Sequence, residues 1–314
     1  MRVLVAGATG VVGRRLVPLL AATGHDVIGG TTSAGKLASI GQLGGTGVVL
    51  DVLDRELTRK VVADVGPDAI VHQATALSNM NFNPRRLDAI FEKTNQLRTA
   101  GTRNLLAAAD ETGVPRFVAH SFCGWPFARV GGQVKTESDP LDANPPKSCT
   151  KTLAAIKELE RLVTEHDGVV LRCGGFYGPG TSLDHNGEQL NTVLKRRLPI
   201  VGAGDGVFSF VHVDDVASAT LAALTRGHGI YNIVDDEPAA VRDWLPYLAS
   251  IIGAKPPMKI PAWLARMVAG ETAVTMMTQM RGGANDKAKR ELSWRPQYST
   301  WRQGFASELG KSAA

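Results

Sequence analysis

Short apolar runs alternate with longer amphipathic stretches through the first half of the chain. Val3-Leu4-Val5-Ala6 is apolar without a polar beat, which predicts a strand buried on both faces of a parallel sheet. Similar runs at 26–28, 48–50, 69–72, 116–119 and 169–171 predict five more strands. Between them, helical periodicity covers 11–20, 54–65, 87–112 and 150–165, with Asp54 placed to cap the second of these. Strand and helix in strict alternation predict β-α-β units and an α/β, doubly wound parallel sheet. After Cys173, glycine and proline become dense and the elements shorten, although 210–213 and 230–233 still read as strands and 262–280 as a helix rich in Met, Ala and Val.

The turn after the first strand reads Gly7-Ala8-Thr9-Gly10-Val11-Val12-Gly13. Strand, glycine turn and helix in that order make a dinucleotide-binding element. The first glycine permits the turn, the second admits a pyrophosphate, and the third lets helix and sheet pack closely. The helix N-terminus then offers unpaired N–H groups and its positive dipole end to the phosphates. The expected fold is therefore of Rossmann type. Residues 1–172 form the cofactor-binding domain, with 208–235 returning to it, and 173–207 plus 236–314 form a smaller interleaved substrate lobe.

Composition narrows the function. The chain has 314 residues and a net charge of +5. Its cations are scattered, the densest cluster being Lys195-Arg196-Arg197, and no aromatic residues interleave with them, so no nucleic-acid partner is expected. A mildly basic surface suits an anionic small molecule. Cys123, Cys149 and Cys173 are widely spaced and odd in number. That favours a reducing, cytoplasmic setting and argues against a structural metal. No apolar run approaches ~18 residues, so no membrane partner is expected.

Further segments fall in a recognisable order: Leu50-Asp51, Val71-His72-Gln73-Ala74-Thr75-Ala76, Thr94-Asn95 followed by Gly101-Thr102-Arg103-Asn104, Phe176-Tyr177-Gly178-Pro179-Gly180, Val211-His212-Val213-Asp214-Asp215-Val216-Ala217, and Glu291-Leu292-Ser293-Trp294-Arg295-Pro296. Over nearly the whole chain this resembles the extended short-chain dehydrogenase/reductase family, which contains nucleotide-sugar epimerases, dehydratases and related reductases. The resemblance implies a cofactor site at Gly7, Thr9, Gly10, Val11, Val12 and Gly13, at Asp51 and Val52 near the adenine, and at Ala74, Thr75, Ala76 and Asn95. Asp51 has a simpler reading as the cap of the following turn, and Asp214 and Asp215 read as caps of the helix they open. A homodimer is a further expectation.

The end of the second strand decides between cofactors. An NAD site places an acid about 20 residues beyond the glycines to hold the ribose hydroxyls. Here that place reads Gly30-Thr31-Thr32-Ser33, with Lys36 nearby and no acid between Asp26 and Asp51. Hydroxyls at Thr31, Thr32 and Ser33, with the Lys36 cation, suit a 2′-phosphate. NADP is the expected cofactor and NAD the alternative.

The resemblance also implies a Ser/Thr, Tyr and Lys set, with tyrosine as the acid/base. Ser121 stands past the fifth strand, and Lys151 has the spacing of the lysine, where it would also hold the nicotinamide ribose. The Y-x-x-x-K tyrosine position then reads Lys147. If the helix has begun by Lys147, Lys147 and Lys151 share a face, and mutual repulsion would lower a lysine pKa towards acid/base use. Tyr177 is the other substitute. Three functions stand open: an NADP-dependent oxidoreductase acting on a carbonyl or alcohol, a nucleotide-sugar epimerase or dehydratase, and a non-catalytic dinucleotide-binding protein. Gly204-Asp205-Gly206-Val207-Phe208-Ser209-Phe210 lacks the arginine that the nucleotide-sugar enzymes usually carry there, which favours a less charged small-molecule substrate.

Overall fold

The computed structural model describes residues 1–77 and 83–310. Seven parallel strands form one sheet: β1 (Arg2–Ala6), β2 (Asp26–Thr31), β3 (Thr46–Val49), β4 (Ala69–His72), β5 (Arg116–Phe122), β6 (Val169–Cys173) and β7 (Gly229–Ile233). Their spatial order is β7-β6-β5-β4-β1-β2-β3. The order reverses between β1 and β4, and such a switch point opens a ligand crevice at the carboxyl ends of the strands. Helices α1 (Gly13–Ala22), α2 (Arg55–Val65), α3 (Thr102–Thr112), α4 (Thr150–Glu165) and α5 (Val213–Ala223) cover the sheet. One face packs on α1 and α5 through Leu16, Val17, Leu20, Val216 and Ala219, and the other on α2, α3 and α4 through Val62, Leu105, Leu159 and Val163. The strands are apolar on both sides because both sides are covered.

A second core gathers α6 (Val241–Ile251) and α9 (Trp301–Leu309), while α7 (Ala262–Ala269) and α8 (Glu271–Gln279) bury Ala265 and Val274 against Val201 in a small cluster of their own. Trp244, Phe210, Trp301, Phe305 and Tyr177 fill the centre of the second core. The short strand Phe210–His212 pairs in parallel with Gly175–Tyr177, tying this core to the end of β6.

Three local differences from the sequence pattern have physical causes. The stretch 87–112 is helical in pieces, with a π-helical turn at Leu97–Gly101 before α3. Buried His72, held neutral by desolvation with its pKa lowered to about 4, lies 3.1 Å from Leu97 O through Nε2. A side chain bonded into the helical ladder is a usual cause of such a bulge. The stretch 262–280 splits into α7 and α8 at Gly270. Asp214 and Asp215 do not cap α5: the His212 ring accepts the Asp214 N–H at 3.1 Å instead. Asp214 pairs with Arg15 of α1 (2.8 Å), and Asp215 receives the N–H groups of Gln297 (2.6 Å) and Tyr298 (3.1 Å). Asp54 does cap α2, accepting from Leu57 N.

Asp235, just past β7, is 1% exposed, and one carboxylate oxygen has no partner. Burial pushes its carboxyl up from 3.8 to about 8. With the folded pKa above the unfolded one, this group's stabilisation is complete below pH 4 and is lost as pH rises towards 8. The loss is up to about 1.4 kcal/mol per pH unit. Asp235→Asn is expected to be close to wild type at pH 4 and the more stable protein at pH 8, as urea denaturation across that range would show.

Candidate functional site

The glycine turn is built for close approach at its first and last glycines. Gly7 has φ +93°, and a Cβ there would lie 2.9 Å from Ala74 Cα. The N–H groups of Gly7 and Ala8 donate to Gly30 O (3.2 and 3.1 Å), fixing the turn to β2. A Cβ on Gly13 would meet Ala8 O at 2.4 Å, whereas one on Gly10 would meet only Gly7 O at 3.2 Å. Gly7 and Gly13 are therefore required by the protein itself, while Gly10 keeps open a space that a pyrophosphate fits. Among the described residues, the N–H groups of Val11 and Val12 have no backbone partner. Val12 is buried and Val11 half-buried against the core.

Around this cradle, Thr31 is buried with its hydroxyl 3.4 Å from that of Thr9, and it accepts the Ser33 N–H at 3.4 Å. Thr32 and Lys36 are exposed and Ser33 half-buried. Asp51 Oδ1 accepts the Leu53 N–H at 3.0 Å, so the carboxylate closes its own turn. Val52 is buried beneath Gly101. Ala74 backs onto Gly7, Thr75 is exposed, and the Ala76 N–H donates to Thr94 Oγ1 at 3.1 Å. Asn95 donates to Thr152 Oγ1 (3.1 Å), and its own Oδ1 is buried without a partner. The amide of Gln73 has neither nitrogen nor oxygen satisfied. Buried polar atoms without partners at the carboxyl end of a parallel sheet suit a polar ligand.

Of the expected catalytic residues, Ser121 and Tyr177 are held in other interactions. Ser121 points away from the crevice and donates to Glu160 Oε1 at 2.7 Å. The same carboxylate takes two hydrogen bonds from Arg172, 2.8 Å from Nε and 2.6 Å from Nη2. All three side chains are buried. Tyr177 is fully buried in the second core, edge-on to Phe305 and His212 at centroid distances of 5.1 and 5.2 Å. Burial also pushes its phenol well above the usual range. The other three tyrosines are engaged elsewhere: Tyr231 with Glu291, Tyr247 with Arg302 O, and Tyr298 with Glu308.

Lys147 and Lys151 are exposed. Lys147 lies in a 3₁₀ turn, Lys147–Cys149, and α4 begins only at Thr150, so the pair does not share an α-helical face. The first turn of α4 is capped from outside. Asp88 accepts the N–H groups of Lys151 (3.0 Å) and Thr152 (2.8 Å) and the Thr152 hydroxyl (2.7 Å). A cavity beside this turn is lined by Trp125, Arg129, Cys149, Thr272, Met276 and Met280.

Glu160 and Asp88 were missed in the sequence. Glu160 had a signal: it is a charge on the apolar face of α4, and Arg172 is an opposite charge inside the apolar run of β6. Such residues are rarely buried unless paired. Asp88 gave none, because its partners are 63 and 64 residues away.

Two pairs of variants test this geometry. Gly10→Val is expected to stay folded by circular dichroism and lose NADPH binding, while Gly13→Val loses about 1–3 kcal/mol of stability through overpacking. Glu160→Gln is expected to lose about 3–5 kcal/mol, since it leaves Arg172 buried without its counter-charge. Ser121→Ala loses about 1 kcal/mol, the worth of one hydrogen bond.

Residues 3–234 match the NAD dependent epimerase/dehydratase family. A 3-diazoavenalumate denitrifying reductase from a Streptomyces species is 41% identical, over 98% of this chain and all of its own length. A 4-hydroxy-2-methyl-3-oxo-4-farnesyl-3,4-dihydroquinoline-1-oxide ketoreductase from Stigmatella aurantiaca is 28% identical over 94% of this chain and 92% of its own. Among solved structures, UDP-glucose 4-epimerase from Thermotoga maritima has a TM-score of 0.77 at 21% identity, covering 98% of this chain and 97% of that one. A dTDP-glucose 4,6-dehydratase from Streptomyces venezuelae with NAD bound has a TM-score of 0.75 at 24% identity, covering 98% and 96%. The two structures show that the fold is shared. The glycine cradle, the strand order and the family match together establish that this chain belongs to the NAD dependent epimerase/dehydratase family, as an NAD(P)-binding enzyme of the extended short-chain dehydrogenase/reductase type.

Proposed function

We propose that the chain is an NADPH-dependent reductase whose substrate is an aryl carboxylate carrying a diazo group, which leaves as N2. The observation that carries this reading is the lack of a phenolic acid: none of the four tyrosines in the sequence lies in the crevice. When bound, the reduced nicotinamide supplies a hydride. An aryl diazonium that receives it needs no proton from the protein. The C–N bonding pair leaves with N2, and the hydride's pair becomes the new C–H bond. A ketone differs, because its oxygen must be protonated, and general acid help is worth roughly 10²–10⁴-fold there. The denitrifying reductase, identical at 41% of positions, supports the same class of substrate.

The chain's own residues then bind and orient. Val11 and Val12 offer N–H groups to the pyrophosphate, and Thr32, Ser33 and Lys36 hold the 2′-phosphate. Lys147 and Lys151 supply positive potential that draws the substrate carboxylate. Carbonyl reduction is the second reading, favoured by the ketoreductase relative. It requires Lys147 or Lys151 as the proton donor.

One experiment separates the two. Diazotised aminohydroxybenzoate and NADPH are expected to yield N2 and NADP in a one-to-one ratio, with no acidic or basic limb in kcat that Lys147→Met or Lys151→Met removes. Turnover of ketones alone, with a pH limb lost in Lys147→Met or Lys151→Met, would establish the second reading instead. For the cofactor, NADPH is expected to bind at least about tenfold, or ~1.4 kcal/mol, more tightly than NADH. Thr31→Asp should reverse that preference by repelling the 2′-phosphate, as nicotinamide fluorescence titration would register.

A further inference from the structure

Beside the second core, α7 carries an apolar ridge on which none of the described residues packs. On α7, Trp263, Leu264, Met267 and Val268 are exposed, Trp263 at 62%, Met267 at 69% and Val268 at 70%. They occupy positions i, i+1, i+4 and i+5 of one helix, and so form a single stripe. Ala265 is buried on the other side, against Val201 and Val274. Two more exposed apolar residues, Leu194 and Met258, lie close by in the fold. The strand Lys259–Ile260 that leads into α7 pairs in parallel with Ile200–Val201, and Arg196 Nε donates to Pro256 O at 2.7 Å.

Those same segments carry the densest positive charge of the chain. Lys195, Arg196, Arg197, Lys255 and Lys259 are all exposed, and none has an acidic partner among the ion pairs of the described residues. The acid nearest in sequence to the ridge, Glu271, is taken by Arg266 at 2.5 Å.

We propose that α7 and this basic rim form a surface that binds anionic lipid, with the helix lying in the plane of the headgroups. A tryptophan-bearing apolar stripe flanked by Lys and Arg is the pattern of an interfacial helix, the rings and aliphatic chains entering the headgroup boundary and the cations meeting anionic lipid. Charge selects this occupant over a second copy of the chain, since two such rims face to face would set five cations against five. The ridge is a convex helix face, which a fluid lipid surface accommodates without a matching shape. The chain would lie on the membrane and not cross it: among the described residues no helix is long and apolar enough to span one. The placement bears on the crevice. α8 follows α7 directly and lines the cavity beside α4 through Thr272 and Met276, and the Arg85 guanidinium donates to Met267 O.

The test is co-sedimentation of the full chain with vesicles of phosphatidylcholine alone or mixed with phosphatidylglycerol. Binding is expected only to the phosphatidylglycerol mixture, with a blue shift in tryptophan fluorescence that Trp263→Phe removes. The double variant Trp263→Ser/Met267→Ser should abolish sedimentation, and Lys195→Ala and Lys259→Ala should each weaken it roughly fivefold. NADPH affinity should stay at the wild-type value in all of them, which keeps this test separate from that of the reaction. Failure to sediment, equal binding to phosphatidylcholine alone, or binding that survives the double variant would each overturn the proposal. A solution dimer that Trp263→Ser/Met267→Ser dissociates would assign the ridge to a second copy, and capture of an acidic protein in preference to vesicles would assign it to a protein partner.

Discussion

The carboxylate of Glu160 holds three elements of the cofactor half at once. It accepts the Ser121 hydroxyl from β5 and both arms of the Arg172 fork from β6, and it is itself carried on α4. Two charges buried this deeply are tolerated only when paired and hydrogen-bonded. The bonds therefore fix how α4 sits over the sheet, and with it the position of Lys151 and the turn before it. They also decide chemistry. A serine at the end of β5 that belongs to a buried ion pair has no hydrogen bond left to aim at a substrate oxygen.

Removing Ser121 and all four tyrosines from the crevice leaves a site that can bind a dinucleotide but has few ways to move a proton. The cradle itself departs little from what its glycines imply. The departure lies in the residues expected to be catalytic, where Ser121 and Tyr177 are buried in other interactions and Lys147 and Lys151 are exposed. A site of this kind suits an acceptor that brings its own driving force.

Much of this was legible in the chain. The apolar runs and the two shorter elements after Cys173 placed all seven strands of the sheet, because strands covered on both faces are mostly apolar. The Gly7 to Gly13 spacing located the cradle, although the contact that requires Gly7 is with Ala74, far along the chain, and only that of Gly13 with Ala8 is local in sequence. What was hidden was tertiary. Whether Ser121 faces the crevice or α4 depends on which face of β5 it occupies and on Glu160 being there to receive it. Tyr177 sits in a motif that suggests chemistry, yet it packs against Phe305 and Gly304, residues more than a hundred positions away. His212 took the capping role that Asp214 and Asp215 were expected to share, because those acids were drawn to Arg15 and to the backbone at Gln297 and Tyr298.

The cap on α4 has a consequence for motion. Its donors, the amides of Lys151 and Thr152, are satisfied by Asp88, which belongs to the short helix Leu87–Ile90 and not to α4. A helix capped by its own preceding residue keeps that protection whenever it is formed. This one keeps it only while the Leu87–Ile90 segment is docked. Exchange of those two amides with solvent therefore clocks the opening of a neighbouring segment rather than the fraying of α4.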